Sequence, residues 1–492
     1  MRPNALPLLA ALPAVLLAMQ VHFTTGIVYS LDDPYIHLAL ARQILLGHYG
    51  INPGEFSAPS SSILWPFLLA PLTFTRLVEF FPLVLNIASV LLGVWWIQRW
   101  LETYTAPLQA LLATTAVAFA LNFYGLALTG MENSLQVALT AVIGISLMRE
   151  RFGWPFWLSV VVLPLIRYEG LAISLPALGY IFLAPRQRLL SVQAVLAGTV
   201  IAATVGGFSV FLRELGLGIL PSSVLAKNGL TFMAELRTSS AFLDNVESQL
   251  FFVVIALFAA FLYFREGRLR ACLLLVLAPT LLHLMFGRYG WFGRYHIYFA
   301  TWILIVAFAA YARSAFSRWM PLNLLLVAGF AAASWNAVIC TLTTASGSRN
   351  IHDQQKQMAL IVRDYLDEPV ALNDLGFVAL YSKRYVLDLA GLASFEALTL
   401  RADPATDIWI RRLMDRHQVE HALIYDSWFA RRPANWIRVA TLDLPAPWIT
   451  VGGDQVAFYS TSPQAAARLR RALVEYRKSS TQAAMMLVLA PQ

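Results

Sequence analysis

The chain reads as a polytopic α-helical membrane protein, about eleven transmembrane helices followed by a small C-terminal extracytoplasmic α/β domain, and three observations carry that reading. Of 492 residues, 58% are hydrophobic and only 13% are charged, where an ordinary soluble protein has about 25% charged residues. Apolar runs long enough for a hydrocarbon core of roughly 30 Å recur through residue 342 and then stop. Arginines gather in alternate turns between those runs, the bias expected of cytoplasmic loops. A mean hydropathy of +0.62 excludes a water-soluble enzyme, because so little polar surface cannot cover a fold of this size. The net charge of +8 does not imply nucleic acid, since 32 of the 36 basic residues are scattered arginines without a stripe. Cys272 and Cys340 sit inside apolar runs, so neither a disulfide framework nor a thiolate metal cluster is expected. There is no Walker loop, GxGxxG or HExxH motif.

Spans are expected near 5–28, 82–98, 106–128, 133–148, 154–166, 170–184, 190–212, 248–264, 271–286, 297–312 and 320–342. The first has no A-x-A-type cleavage site before Val21 and reads as an uncleaved anchor. The stretch 62–80 is apolar enough to cross, but a crossing there would put nearly all loop arginines outside. It is therefore assigned to the outer interface, broken by Pro66 and Pro71. With that choice the cytoplasmic turns hold eleven basic and three acidic residues, and 29–81 becomes one long external loop. Residues 1–345 form the membrane domain; two further outer segments are 213–247 and the short GRYGWFGRYH. From 346 to 464 the pattern changes to short strands (PVALN, RYVLDLA, HALIYD, WIRVATL, QVAFYS) around a helical TDIWIRRLMDRH, the mark of an α/β domain. Residues 465–492 read as a basic tail with a surface helix.

The external loop opens with LDDPYIHLALARQILLGHYGINPGE. Asp33 before Pro34 has the sequence of a helix cap with a first-turn proline, which leaves Asp32 without a structural task. The helix that follows, Pro34 to Gly47, places Ile36, Leu40 and Ile44 on one side, as in a helix half sunk in the interface. A carboxylate at that depth is costly unless it is used or paired.

Here the sequence resembles a family. The DDPYIHLALARQILLGHYGINPGE run with its SSSILWPFLLAP continuation, then TGMENSLQVAL, RYEG, LPSSVLAKNG, FGRYHIYF and LNDLGFVALYSKRYVLDLAGLAS, follow the order of motifs in GT-C glycosyltransferases that use polyprenyl-phosphate sugars. The resemblance is to the bacterial arabinofuranosyl- and mannosyltransferase-like branch and covers most of the chain. The family more often has DDAY, G(L/M)ET and RPEG where this chain has DDPY, GMEN and RYEG. The resemblance implies a GT-C membrane domain in a bacterial cytoplasmic membrane and inverting transfer of one sugar. The donor is a polyprenyl-phosphate sugar, and the acceptor is a lipid-linked or cell-envelope glycan at the outer face.

It also assigns the general base to the first aspartate of the pair, Asp32, with Asp33 beside it. Donor-phosphate candidates are the basic residues the topology puts outside, Arg167, Lys227, Arg288 and Arg294, because a guanidinium fork or an ammonium matches a phosphate. The bland reading of each is a snorkelling interfacial cation, and Arg167 can simply pair with Glu169. Glu132, Tyr295, His296 and His37 complete the candidate set. His22, His37, His48 and His296 with Asp32, Asp33 and Glu132 could hold a divalent cation, though the spacing does not demand one. A secondary transporter or lipid-linked-sugar flippase, or a non-catalytic assembly subunit, is the alternative. No internal repeat supports a transporter, and the carboxylates lie at the external ends of spans.

Overall fold

A computed structural model of the chain describes all residues except 1–14, 23, 25, 76, 185–187, 229–238, 402–407, 430, 480–485 and 492, together with the side chains of 227, 228 and 239–241. The first expected span lies mostly outside the described residues, apart from a helix over 15–22. Apolar helices stand at the other ten expected positions. In chain order, after the loop helix α1 (Asp33–Leu45), they are α2 (Phe81–Leu101), α3 (Pro107–Ala120), α4 (Asn133–Met148), α5 (Trp154–Ile166) and α6 (Leu171–Phe182). There follow α7 (Arg188–Glu214), α8 (Leu250–Arg265), α9 (Leu269–Phe286), α10 (Ile297–Arg313) and α11 (Met320–Leu342).

Among the described residues α2, α7, α9 and α11 are long and apolar enough to cross a membrane unaided, and α8 joins them if the Phe242–Ser248 segment, bent from it by 88°, is counted with it. α3, α4, α5 and α10 are apolar but shorter. The expected span 106–128 is cut at Asn122, whose left-handed backbone (φ 52°) separates α3 from a short helix Phe123–Ala127. The stretch 62–80 forms only a short helix, Trp65–Leu69, a 3-10 turn and further turns, each of the first two with a proline in its opening residues.

The bundle is centred on α4 and α10, which are buried along nearly their whole length. Small residues allow the close contacts. An added Cβ on Gly93 of α2 would lie 3.4 Å from Ala138 of α4, and one on Gly144 of α4 would lie 3.2 Å from Ile305 of α10.

A helix from Thr344, continued through π-turns at His352–Lys356 and Ile361–Leu366, leads into the α/β domain. Its sheet has six strands, β1 (Val370–Leu372), β2 (Val386–Asp388), β3 (His421–Ile424), β4 (Ile437–Asp443), β5 (Gln455–Ser460) and β6 (Leu487–Leu489), in the order β2-β1-β3-β5-β4-β6. β1 is parallel to β2 and β3; β4 and β5 run antiparallel. The helices α12 (Gly376–Tyr381) and α13 (Ile408–Arg416) lie within it, and α14 (Pro463–Ser479) follows it. The basic tail expected over 465–492 is corrected by the structure: α14 buries Leu469, Leu473 and Tyr476 in the main core, and β6 pairs with β4. Every third or fourth residue of that basic helix is apolar, which is the stripe of a packed helix rather than a free one.

The loop that carries α1 docks on this domain. Tyr35 stacks on Phe377 with ring centroids 3.8 Å apart. Arg42 donates to the Leu380 carbonyl at 2.8 Å, and Asn52 exchanges two hydrogen bonds with the Val386 backbone at 2.9 and 3.0 Å. The expectation of a half-sunk interfacial helix is therefore also corrected: α1 is buried from Pro34 to Ala41, between the bundle and the α/β domain.

Candidate active site

Two groups of ionisable side chains meet where α1 begins. The capping assignment shifts by one residue, because α1 starts at Asp33 and Asp32 occupies the cap position, its carbonyl accepting from the Tyr35 N–H at 3.1 Å while its side chain makes no bond to the helix. The Asp32 carboxylate instead accepts from the backbone N–H groups of Gly376 (2.5 Å) and Phe377 (2.9 Å) across the domain junction. Asp374, in the turn after β1, is close enough to act on it electrostatically. Asp374 also accepts from Gln355 at 2.6 Å and from the Tyr425 hydroxyl at 3.0 Å. Burial pushes the Asp32 carboxyl well above the usual carboxylate range, and the neighbouring Asp374 carboxylate adds to this. Burial likewise raises Asp374. Two neighbouring buried carboxyls cannot both ionise cheaply.

Asp33 points the other way. It is 28% exposed and pairs with Arg294 at 2.7 Å, while Arg294 itself is only 2% exposed. Arg294 also donates to the Tyr295 hydroxyl at 2.9 Å and lies over the Tyr295 ring, 4.9 Å from its centroid. Behind them sits Glu132, fully buried, paired with Arg167 at 2.6 Å and with His37 at 3.7 Å. Arg167 completes its fork on Glu169 at 2.8 Å. Burial alone would raise the Glu132 carboxyl, but Arg167, His37 and Arg294 outweigh it and hold it below its ordinary value. The same carboxylates keep Arg167 protonated against its own burial.

Local folding explains the placement. The break between α5 and α6 is an extended residue, Arg167 (φ −154°, ψ 138°), followed by a 3-10 turn Tyr168–Gly170, so both ends of RYEG turn inward. The loop before α10 has four successive residues with positive φ, Gly290, Trp291, Phe292 and Gly293. Such backbone is costly at Trp291 and Phe292, about 1–3 kcal/mol each, and it is held from outside. Asn122 donates to the Phe292 carbonyl at 3.0 Å and Asn133 to the Arg294 carbonyl at 3.2 Å. Asn133 is where the family-like motif departs from its usual threonine, and here its side chain fixes the arginine.

Seven of the eleven candidates read from sequence thus come together: Asp33, His37, Glu132, Arg167, Glu169, Arg294 and Tyr295. Asp32 is buried at the adjoining junction. Arg288 is half-buried in the same loop as Arg294, and His296 packs on Tyr289 with centroids 4.5 Å apart. Burial lowers the His296 pKa to about 4. Lys227 falls on the helix Ser222–Asn228, and its side chain lies outside the described residues. Among the described residues no group of three or more His, Cys, Asp or Glu is arranged to hold a metal ion. His37 faces Glu132, and His48 bonds the Glu55 carbonyl at 2.9 Å. Sequence reasoning missed Asp374, Gln355, Tyr425 and Asn133. The signal for Asp374 was the Asn-Asp pair closing a strand in LNDLG.

Residues 349–459 match a family described as a domain of unknown function (DUF8728). The chain is similar to the crystal structure of ArnT from Cupriavidus metallidurans bound to undecaprenyl phosphate, with a TM-score of 0.48 and 11% identity over 93% of this chain and 98% of that one. Among curated proteins no sequence match is found.

Proposed function

We propose that the protein is an integral-membrane glycosyltransferase of the GT-C type. It takes one sugar from a polyprenyl-phosphate donor and passes it to a lipid-linked or cell-envelope glycan acceptor on the outer face of the cytoplasmic membrane. The observation that carries this reading is the pairing of a partly exposed carboxylate, Asp33, with a buried guanidinium, Arg294, at the end of an apolar bundle. The ordered motifs from DDPY to LNDLG supply the family context.

In an inverting transfer a base removes the acceptor proton as its oxygen attacks the anomeric carbon, and the bond from that carbon to the phosphate oxygen breaks. The leaving phosphate needs no proton, only positive charge to receive it, so one carboxylate suffices where a glycosidase uses two. Arg294, with Arg288 in the same loop, supplies that charge. Arg167 is already committed to Glu132 and Glu169 and acts as support. The base is placed on Asp33 rather than on Asp32, because the Asp32 oxygens accept two backbone hydrogen bonds and face Asp374. Phosphate drawing Arg294 toward itself frees the Asp33 oxygen to accept the proton.

The test uses the full-length protein in detergent with a panel of polyprenyl-phosphate sugars and a lipid-linked acceptor. Asp33→Asn is expected to lower transfer about 100- to 10,000-fold, the usual worth of a positioned base, and Asp32→Asn considerably less. Loss confined to Asp32→Asn moves the base to Asp32. Wild-type rates in both variants sink the catalytic reading, and transport without transfer after reconstitution favours a carrier.

A further inference from the structure

The helix that presents Glu132 and Asn133 to the candidate active site, α4, ends at Met148, about 24 Å away by helical rise. At that far end lies a separate cavity of about 480 Å3, lined by Trp95, Arg99, Glu102, Thr103, Pro107 and Arg149. It sits where α2 ends, α3 begins and α4 ends, so it opens at the opposite end of the bundle from Asp33. Arg99 is held by Glu102 at 3.1 Å. The Arg149 guanidinium donates to the Arg99 carbonyl at 2.5 Å and has no carboxylate partner among the described residues. Burial and the nearby Arg151 guanidinium both push the Arg149 pKa down, so an anion placed there would relieve an unfavourable environment. The two lining guanidiniums exceed the one lining carboxylate.

The two helices that supply most of the cavity's lining also carry exposed apolar side chains. Leu92 lies one helical turn before Trp95 on α2, Leu108 and Leu112 lie one turn apart on α3, and all four side chains are exposed on the outside of the bundle. A tryptophan at the polar end of a spanning helix marks the depth of lipid headgroups. Positive charge at headgroup depth above an exposed apolar strip fits a ligand with a phosphodiester and acyl chains.

We propose that this cavity binds the headgroup phosphate of an anionic phospholipid, whose acyl chains lie along the α2–α3 strip. The site is independent of the glycosyltransferase reading and stands or falls on lipid binding alone.

The experiment is native mass spectrometry of the full chain purified in an uncharged detergent and supplied with phosphatidylglycerol or phosphatidylcholine. Preferential retention of phosphatidylglycerol is expected. The preference should fall about five- to thirtyfold in the Arg99→Gln/Arg149→Gln double variant, since each basic group near a lipid surface is worth about fivefold in binding. Arg149→Lys, which keeps the charge, should retain it, and so should Arg318→Gln, which removes an arginine elsewhere. Equal retention of the two lipids by the wild type overturns the proposal even if the double variant does not fold. An undiminished preference in a folded double variant overturns it too, as does an equal loss in Arg318→Gln. Release of phosphatidylglycerol by excess inorganic phosphate would assign the cavity to a free anion instead of a lipid.

Discussion

Glu132 is ionised where almost no water reaches it, and its charge is tolerable only because Arg167 and His37 surround it. Removing one member of a buried pair leaves the other uncompensated. Arg167→Gln is therefore expected to destabilise the protein by about 3–5 kcal/mol, seen as a large fall in Tm in detergent, whereas an exposed pair such as Arg384 with Asp367 should be nearly silent when broken. The Asp32–Asp374 pair has the opposite sign with respect to pH. Carboxyls whose pKa is raised on folding bind protons that the unfolded chain has released. Their stabilisation is complete below the ordinary carboxylate value, about 3.9, and is lost as the pH rises through the raised values. Glu132, held low, contributes above its ordinary value and loses that contribution as the pH falls. Asp374→Asn should thus flatten the decline of Tm with rising pH; a slope parallel to the wild type over pH 4–8 would show that the pair is not its source.

At the scale of elements, the junction between α1 and α12 has no spare room. A Cβ on Gly376 would stand 2.1 Å from the Asp32 carbonyl oxygen and 2.8 Å from its carboxylate. Gly376→Ala should separate the loop from the α/β domain at a cost of about 1–3 kcal/mol. Faster proteolysis within residues 29–81, with the bundle still intact, is the expected readout. This junction is also where the sequence was least legible. The apolar helices and the first five strands could be read because their burial is set by their own periodicity, and Arg294 and Glu169 because their motifs are local. The start of α1 was misplaced by one residue since an aspartate before proline has the same pattern whether it caps or only precedes the helix. That Asp32 bonds a backbone 344 positions away depends on docking, which no local pattern encodes. The π-turns between Thr344 and Leu366 were unreadable for the same reason: their polar residues, Gln354 and Gln355 among them, are buried by tertiary contacts to Tyr425 and Asp374.

For the whole molecule the decisive point is that one apolar core runs from the bundle through one face of the sheet to α14, while a second, smaller core fills the sheet's other face under α13. The α/β domain is therefore bound into the fold at its far end too. α14 covers that first face with Leu469, Leu473 and Tyr476, each buried leucine being worth about 1.5–3 kcal/mol. β6 closes the edge of β4 through the pairs Ala440 with Leu489, Thr441 with Val488 and Leu442 with Leu487, and an open edge strand invites association with other chains. If residues 465–492 were a detachable basic tail, a chain ending at Ser462 would remain folded. The packing predicts the reverse: that truncation should elute in the void volume or fail to accumulate, whereas a chain ending at Ala490 should elute as the full-length protein does. A monodisperse, active product from the shorter chain would show that α14 and β6 are dispensable to the sheet, and the core would then have to be redrawn to end at β5.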